Sequence, residues 1–216
     1  MMKTKQLNVW TGKFGEEYTD RNIQTIESLD RDCRKEFGVS ATTFFRDALH
    51  GLPISSVLEV GCNIGNKLAI FHSLGIKNLT GVEPQRYAIK KGKKRYPFIA
   101  FRQGTVYDLP YPNNSFDLVF TSDVLIHVSP KHLAKALGEI VRVSRRFVLG
   151  FEFYSDKPQA VVYRSHRDLL WRRDYKQDYL KSFPNVTVIY ERKFNHNEKI
   201  VDAAGLKSEL FVLKTN

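Results

Sequence analysis

The segment Val57-Leu58-Glu59-Val60-Gly61-Cys62-Asn63-Ile64-Gly65-Asn66-Lys67-Leu68 reads as a strand that carries an acid, turns through two glycines four apart, and enters a helix. Gly61 lets a ligand approach the backbone closely and Gly65 permits the turn into the helix. Asn63 tolerates left-handed dihedrals. Free amides at a helix start bind a carboxylate or a phosphate. The spacing is neither Gly-x-Gly-x-x-Gly nor the phosphate loop ending in Gly-Lys-Ser/Thr, so the loop alone does not name its ligand. Glu83 adds the second piece. It lies 18 residues after Gly65 and closes the run Leu79-Thr80-Gly81-Val82. A carboxylate at that strand end faces the crevice and accepts two hydrogen bonds from a ribose diol. The competing reading is an acid that complements the dipole of the following helix.

Those residues need a sheet to hold them. Short apolar runs that read as strands recur at 57–60, 79–82, 99–102, 116–120, 147–151, 186–190 and 210–213. Helical patterns at 67–73, 84–91 and 130–143 fall between the earlier ones. Near-continuous apolar strands separated by helices imply a sheet covered on both faces and mostly parallel. Residues 1–50 carry few strand signals and look helical, with turns near Gly12, Gly15 and Gly38. The expected fold class is α/β: a doubly wound, mostly parallel seven-stranded sheet with an N-terminal helical segment. The expected division is a helical lid at 1–50 and a ligand-binding unit at 51–216, within one structural domain.

Composition narrows the classes further. Of 216 residues, 42% are hydrophobic and 26% charged, enough to fill a core without spanning a membrane. The opening Met1-Met2-Lys3-Thr4-Lys5-Gln6 has no apolar stretch of the signal-peptide kind, so a soluble, cytoplasmic protein is expected, with no membrane insertion. Cys33 and Cys62 cannot form a disulfide framework or supply four zinc ligands, and no metal site is expected. The formal net charge is +11. Seven basic residues and no acid lie between Arg86 and Arg102, which reads as a solvated helix end around Gly92. A second basic stretch, Arg164 to Lys181, is interleaved with His166, Trp171 and Tyr175 and points more to a ligand.

The glycine loop resembles the adenosylmethionine site of class I methyltransferases, with Glu59-x-Gly61-x-Asn63-x-Gly65 where that class has an acid followed by Gly-x-Gly-x-Gly. The likeness continues through Gly104-Thr105-Val106-Tyr107-Asp108-Leu109-Pro110 and on to Phe116-Asp117-Leu118-Val119. It implies the Rossmann-like methyltransferase fold, S-adenosylmethionine as cofactor and S-adenosylhomocysteine as product. It also implies a cofactor site made of Glu59, Gly61, Cys62, Asn63, Gly65, Glu83, Pro84, Thr105, Val106 and Ser122. Thr105 stands where the class commonly has an acid, so adenine recognition passes to backbone groups near Thr105 and Val106. Three further segments are similar to the pseudaminic acid biosynthesis-associated methylases: Trp10 to Asn22, Asp123 to Pro130, and Glu152-Phe153-Tyr154 with Tyr163 to Asp168 and Trp171 to Asp174. This resemblance implies methyl transfer in surface-glycan metabolism, with a small anionic or sugar-like acceptor.

Candidate catalytic groups must lie near the strand ends. His127 follows the fourth strand, Glu152 ends the fifth, and His166 lies on the segment after it. Each also has a packing alternative. Tyr18, Arg21 and Asn22 sit one turn apart on a helix face and are candidates to close over the cofactor carboxylate or the acceptor. Tyr154, Tyr163, Arg164 and Arg173 complete the expected acceptor site, because arginine pairs bidentately with a carboxylate. Arg173 beside Asp174 has an ion-pair alternative. Competing functions are a nucleic-acid methyltransferase, a small-molecule N-methyltransferase and a cofactor-binding protein without catalysis. Nucleic acid is disfavoured because Thr121-Ser122-Asp123-Val124 is not the Asn/Asp-Pro-Pro-aromatic motif of base-amino methylases. The sequence leaves the oligomeric state open.

Overall fold

In a computed structural model, described for residues 2–197 and 205–215, four helices precede the sheet. They are α1 (Lys5–Thr11), α2 (Lys13–Arg21), α3 (Ile26–Phe37) and α4 (Ala41–Leu49). Their starts are written locally. The side chains of Thr4, Thr25 and Ser40 accept from backbone amides of the first turns of α1, α3 and α4. Gly12 separates α1 from α2, and Gly38 ends α3 in the left-handed region at φ 74°. The turn expected near Gly15 is absent. Gly15 lies inside α2 and packs against the Trp10 carbonyl and the Gln85 side chain.

The sheet strands are β1 (Ser56–Val60), β2 (Asn78–Glu83), β3 (Ala100–Gln103), β4 (Phe116–Ser122) and β5 (Ser144–Tyr154), then β8 (Thr187–Asn195) and β9 (Lys207–Lys214). They lie in the order β3-β2-β1-β4-β5-β9-β8. Pairs from β3 through β5 are parallel, while β9 runs antiparallel to both β5 and β8. Helices α5 (Asn66–Ser73), α6 (Arg86–Arg95) and α7 (Pro130–Val143) make the crossovers, and α8 (Tyr175–Ser182) packs near β5. Successive residues feed opposite faces of the sheet. Leu58, Val119, Val148 and Phe211 join one apolar core with α7 and α8, and Val57, Leu118, Leu149 and Val212 join the other with α4 and α5.

The helix expected to fade near Gly92 runs on to Arg95. A Cβ at Gly92 would meet Phe101 Cζ at 2.6 Å and the Ile64 carbonyl at 2.9 Å, so the residue serves helix-to-sheet contact. A two-stranded hairpin, β6 (Gln159–Tyr163) and β7 (His166–Arg172), has no counterpart in the strands expected from sequence. Its strands are mostly exposed or half-buried, and β7 carries His166, Arg167, Asp168 and Arg172, so no clean apolar face announces them. Lys5 Nζ reaches Asp168 Oδ2 at 2.8 Å and Gln6 Nε2 donates to the Asp168 carbonyl at 2.9 Å, which ties α1 to this hairpin.

From β1 the chain steps outward to β2 and β3, then returns across β1 to β4. The carboxyl ends of β1 and β4 therefore flank a topological switch point, where open α/β sheets bind ligands. At the opposite end, Asp117 Oδ2 accepts four hydrogen bonds from the amides and hydroxyls of Ser55 and Ser56, fixing where β1 starts beside β4. Burial alone would raise the Asp117 carboxyl, but these donors hold it at about 2. Asp117→Ala should destabilise the protein by about 2–4 kcal/mol in urea denaturation. A group with a depressed folded pKa adds stability above its unfolded value and loses it as pH falls. Asp117→Asn should accordingly flatten the loss of stability between pH 4 and about 2.

Candidate functional site

The loop after β1 is folded back onto β2. Gly61 N and Cys62 N both donate to the Val82 carbonyl, at 2.7 and 3.1 Å. Gly61 has φ 73°, and a Cβ there would stand 2.6 Å from Val124 Cγ2, so only glycine lets the segment after β4 close against this turn. Asn63 takes the left-handed conformation at φ 49° and donates its amide to Glu83 Oε2 at 2.9 Å. Gln85 N donates to Glu83 Oε1 at 3.0 Å. The buried carboxylate is thus gripped through one amide on each oxygen, which leaves further lone pairs for a ligand. Burial pushes the Glu83 carboxyl up to about 7 against these two donors.

A cavity of about 190 Å³ opens at this point. Glu59, Gly61, Cys62, Asn63, Glu83, Pro84, Thr105, Val106 and Ser122 all line it, as does His127 after β4. Gly65 is the exception among the expected cofactor residues. It precedes α5 at φ 89° and packs against Ile99 and Phe101, behind the lining. Two buried oxygens, Glu59 Oε2 and Asn63 Oδ1, have no hydrogen-bond partner. Unpartnered buried acceptors beside a glycine turn that excludes any side chain suit a ligand bearing an ammonium and hydroxyls. The donor set fits S-adenosylmethionine, with acids for its ammonium and ribose and the turn for its close approach.

The N-terminal helices form the roof. Trp10, Tyr18, Thr19 and Asn22 line the cavity from α1, α2 and the residue after α2. Gln85 holds them there: its Nε2 donates to the Trp10 carbonyl at 2.9 Å and its Oε1 accepts from Thr19 Oγ1 at 3.1 Å. The Trp10 ring lies 4.5 Å from the His127 ring and 5.1 Å from that of Tyr18. Burial raises Tyr18 to about 12, so its phenol stays protonated. His127 Nδ1 lies 2.6 Å from the Leu169 carbonyl, which requires the proton on Nδ1 and leaves Nε2 as an acceptor. Burial depresses this imidazole to about 4, against the Leu169 contact, so it is neutral at pH 7.

Several expected site residues stand elsewhere. Glu152 does not line the cavity. It is buried, and accepts from Val124 N at 3.1 Å and Ile126 N at 3.4 Å, beneath the single 3-10 turn Leu125–His127. Its carboxylate shapes the turn that carries His127. His166 packs its ring 5.6 Å from that of Phe14, outside the lining. Arg21 is exposed and does not line the cavity, whereas Tyr18 and Asn22 do. Tyr154 bonds Asp156 and lies under Lys193 Nζ. Tyr163 sits in a second rank behind His127, with ring centroids 5.6 Å apart. Arg164 occupies the hairpin tip at φ 47°, and Arg173 pairs through two nitrogens with Asp178, one turn beyond Asp174. None of the expected arginines borders the cavity, because a tight two-residue turn carries Arg164 away and helix geometry gives Arg173 an acid.

Lys67, Asp123, Trp10 and Gln85 line the cavity without having been singled out as site residues by sequence. Lys67 looks like one more surface lysine at a helix start, and Asp123 like a polar residue in a loop. The φ of 58° at Asp123 and the α2 roof over both appear only in three dimensions. Among the described residues no group of three or more His, Cys, Asp or Glu is arranged to hold a metal, and no helix is long and apolar enough to cross a membrane.

Residues 58–146 match the family described as a methyltransferase domain. That segment runs from within β1 through α7 and includes the described floor of the cavity, Glu59 to Val128. The segment is thus similar to a methyltransferase domain, a likeness that indicates S-adenosylmethionine as cofactor. Over 135 residues the chain is 30% identical to an uncharacterized methyltransferase of Schizosaccharomyces pombe, covering 57% of this chain and 44% of that one. Over 123 residues it is 35% identical to the phthiotriol/phenolphthiotriol dimycocerosates methyltransferase of Mycobacterium tuberculosis, covering 56% and 44%. The matched stretch thus spans less than half the length of these curated relatives. A geranyl diphosphate methyltransferase solved with GPP and sinefungin superposes with TM-score 0.65 at 13% identity, over 81% of this chain and 76% of that chain. The MccD protein superposes with TM-score 0.64 at 14% identity, over 83% and 98%. At these identities the two structures share the fold.

Burial raises Glu59 and Glu152 to about 8, opposed at Glu59 by Lys67 and reinforced at Glu152 by Asp123. With Glu83 near 7, the folded, ligand-free protein binds more protons than the unfolded chain between pH 4.5 and 8. Stability must fall as pH rises through that window. The melting temperature of the ligand-free protein should drop from pH 5 to pH 8, and Glu152→Gln should reduce the drop.

Proposed function

We propose that this protein is an S-adenosylmethionine-dependent methyltransferase acting on a small polar metabolite, a sugar or nonulosonic-acid-type intermediate of surface-glycan biosynthesis. The observation that carries the reading is the two-amide grip on Glu83 beside the Gly61 turn, beneath a roof of N-terminal helices. The sugar assignment rests on the sequence resemblance of the segments around Trp10, Asp123 and Tyr163. The roof supports a compact acceptor, because Trp10, Tyr18 and Asn22 occupy the approach a polynucleotide would need.

When bound, the cofactor supplies a methyl group on a sulfonium; a bond from acceptor to carbon forms as the carbon–sulfur bond breaks, in line. Alignment is the main task of the chain, worth up to about 7–11 kcal/mol. In this reading Glu83 takes the ribose hydroxyls, backbone groups at Thr105 and Val106 meet the adenine, and residues 1–50 form the lid. His127 Nε2 accepts the hydrogen of an acceptor hydroxyl, orients its oxygen, and receives the proton as transfer completes. An amine acceptor would need only to arrive neutral. Glu152 positions His127 by holding the turn before it.

The proposal is tested by calorimetric titration with S-adenosylmethionine and S-adenosylhomocysteine, then by mass spectrometry for gain of one CH2 on candidate sugars. Absence of cofactor binding overturns it. Tight, steeply salt-dependent RNA binding with methylated RNA as the product would replace the sugar with nucleic acid. Glu83→Ala should weaken S-adenosylhomocysteine about tenfold or more. His127→Ala should lower kcat on a hydroxyl acceptor about 10²-fold and leave cofactor affinity within about twofold.

A further inference from the structure

The ionisable groups lining the cavity are unequal in number. Among the described residues Glu59, Glu83 and Asp123 share the lining with a single lysine or arginine, Lys67. Lys67 stands in the first turn of α5, immediately after the glycine loop, with its side chain 25% exposed. Its Nζ lies 3.4 Å from Asp123 Oδ2, beyond the 2.7–2.9 Å of a well-formed charge-assisted hydrogen bond. An ammonium has three donors, and this contact uses one. Burial opposes the charge on Lys67, but its acidic surroundings, Asp123 foremost, more than offset it, and the amine stays protonated. Opposite it, Glu59 Oε2 has no partner. A loose ion pair with spare donors next to a spare acceptor is a site complementary to a zwitterion.

Topology says which end of a bound molecule would meet it. In the sheet order β2-β1-β4, Glu83 ends β2 and Asp123 follows β4, on opposite sides of β1. A ligand whose ribose is on Glu83 and whose adenine is near Thr105 must extend across the Gly61 turn toward Asp123 and Lys67. We propose that Lys67 Nζ receives the α-carboxylate of the cofactor's methionyl group, leaving Asp123 and Glu59 to its α-ammonium. This rests on the methyltransferase reading above. Lys67 is then a cofactor-positioning residue that sets the direction of the sulfonium. The one lysine or arginine among the described lining residues is thereby committed to the cofactor, and the acceptor is recognised without a second cation from that lining.

The test compares two ligands that differ only in the carboxylate, S-adenosylhomocysteine and its decarboxylated analogue, by calorimetry on wild-type, Lys67→Met and Lys67→Arg proteins. Wild type should prefer S-adenosylhomocysteine by about tenfold or more, the scale of one charge-assisted contact. Lys67→Met should lose that preference, weakening S-adenosylhomocysteine about tenfold while the decarboxylated compound changes by less than about threefold. Lys67→Arg should retain most of it. Equal weakening of both ligands by Lys67→Met assigns the lysine a structural role and overturns the proposal. Equal affinity of wild type for the two compounds overturns it without any variant, so a variant that fails to fold leaves the test intact. Wild type that binds neither compound overturns the cofactor reading itself, a result distinct from binding in which the carboxylate goes unread.

Discussion

Two backbone amides, Asn63 N at 2.9 Å and Gln85 N at 3.0 Å, hold opposite oxygens of the buried Glu83 carboxylate, and the shape of the cavity follows from that bridge. Leaving such a carboxylate unpaired in the interior would be costly, so the loop after β1 and the turn after β2 are constrained to meet it. The same turn places Gln85, whose side-chain amide grips Trp10 and Thr19 and sets the roof. Floor and roof are therefore fixed by consecutive parts of one short segment.

The second constraint is the turn after β4. Val124 presses against Gly61, and Glu152 ties Val124 and Ile126 from below. Between them they leave the chain little freedom except to present His127 beside Trp10. The Leu169 carbonyl then decides which imidazole nitrogen carries the proton. The hairpin that supplies Leu169 is small and largely exposed, yet it governs a tautomer in the cavity. The floor, built from the segment that matches a methyltransferase domain, is thus completed by two elements outside it, the N-terminal helices and the hairpin.

The net positive charge has a local explanation. On α6, Lys91 pairs with Asp20 at 2.5 Å and Arg95 donates to the Gln24 carbonyl at 3.0 Å, both in the N-terminal segment. Lys176 and Arg173 meet acids of their own surroundings. Part of the basic excess therefore fastens the roof to the sheet domain. Among the described residues the cavity lining has more acidic than basic side chains, the reverse of the whole chain.

Order and type of the elements were legible because they rest on local rules. Apolar runs such as Phe116–Phe120 and Phe147–Phe151, rich in β-branched and aromatic residues and alternating with helical patterns, read as strands buried on both faces. The pairing of Glu59 and Gly61 with Glu83 was legible too, since a strand, a glycine turn and an acid at the next strand end repeat a geometry fixed by the sheet. The exposed hairpin had no such signature. Glu152, Arg164 and Arg173 lie outside the cavity lining, because closeness to a strand end, or the presence of charge, does not say where a side chain turns or what neutralises it. By itself the sequence determined a mostly parallel α/β sheet with a glycine turn and an acid at neighbouring strand ends. Only the tertiary structure decided that Glu152 supports the site from below, that the arginines lie outside it, and that Lys67 lies within. Long-range packing, not spacing along the chain, selects which charges share a cavity.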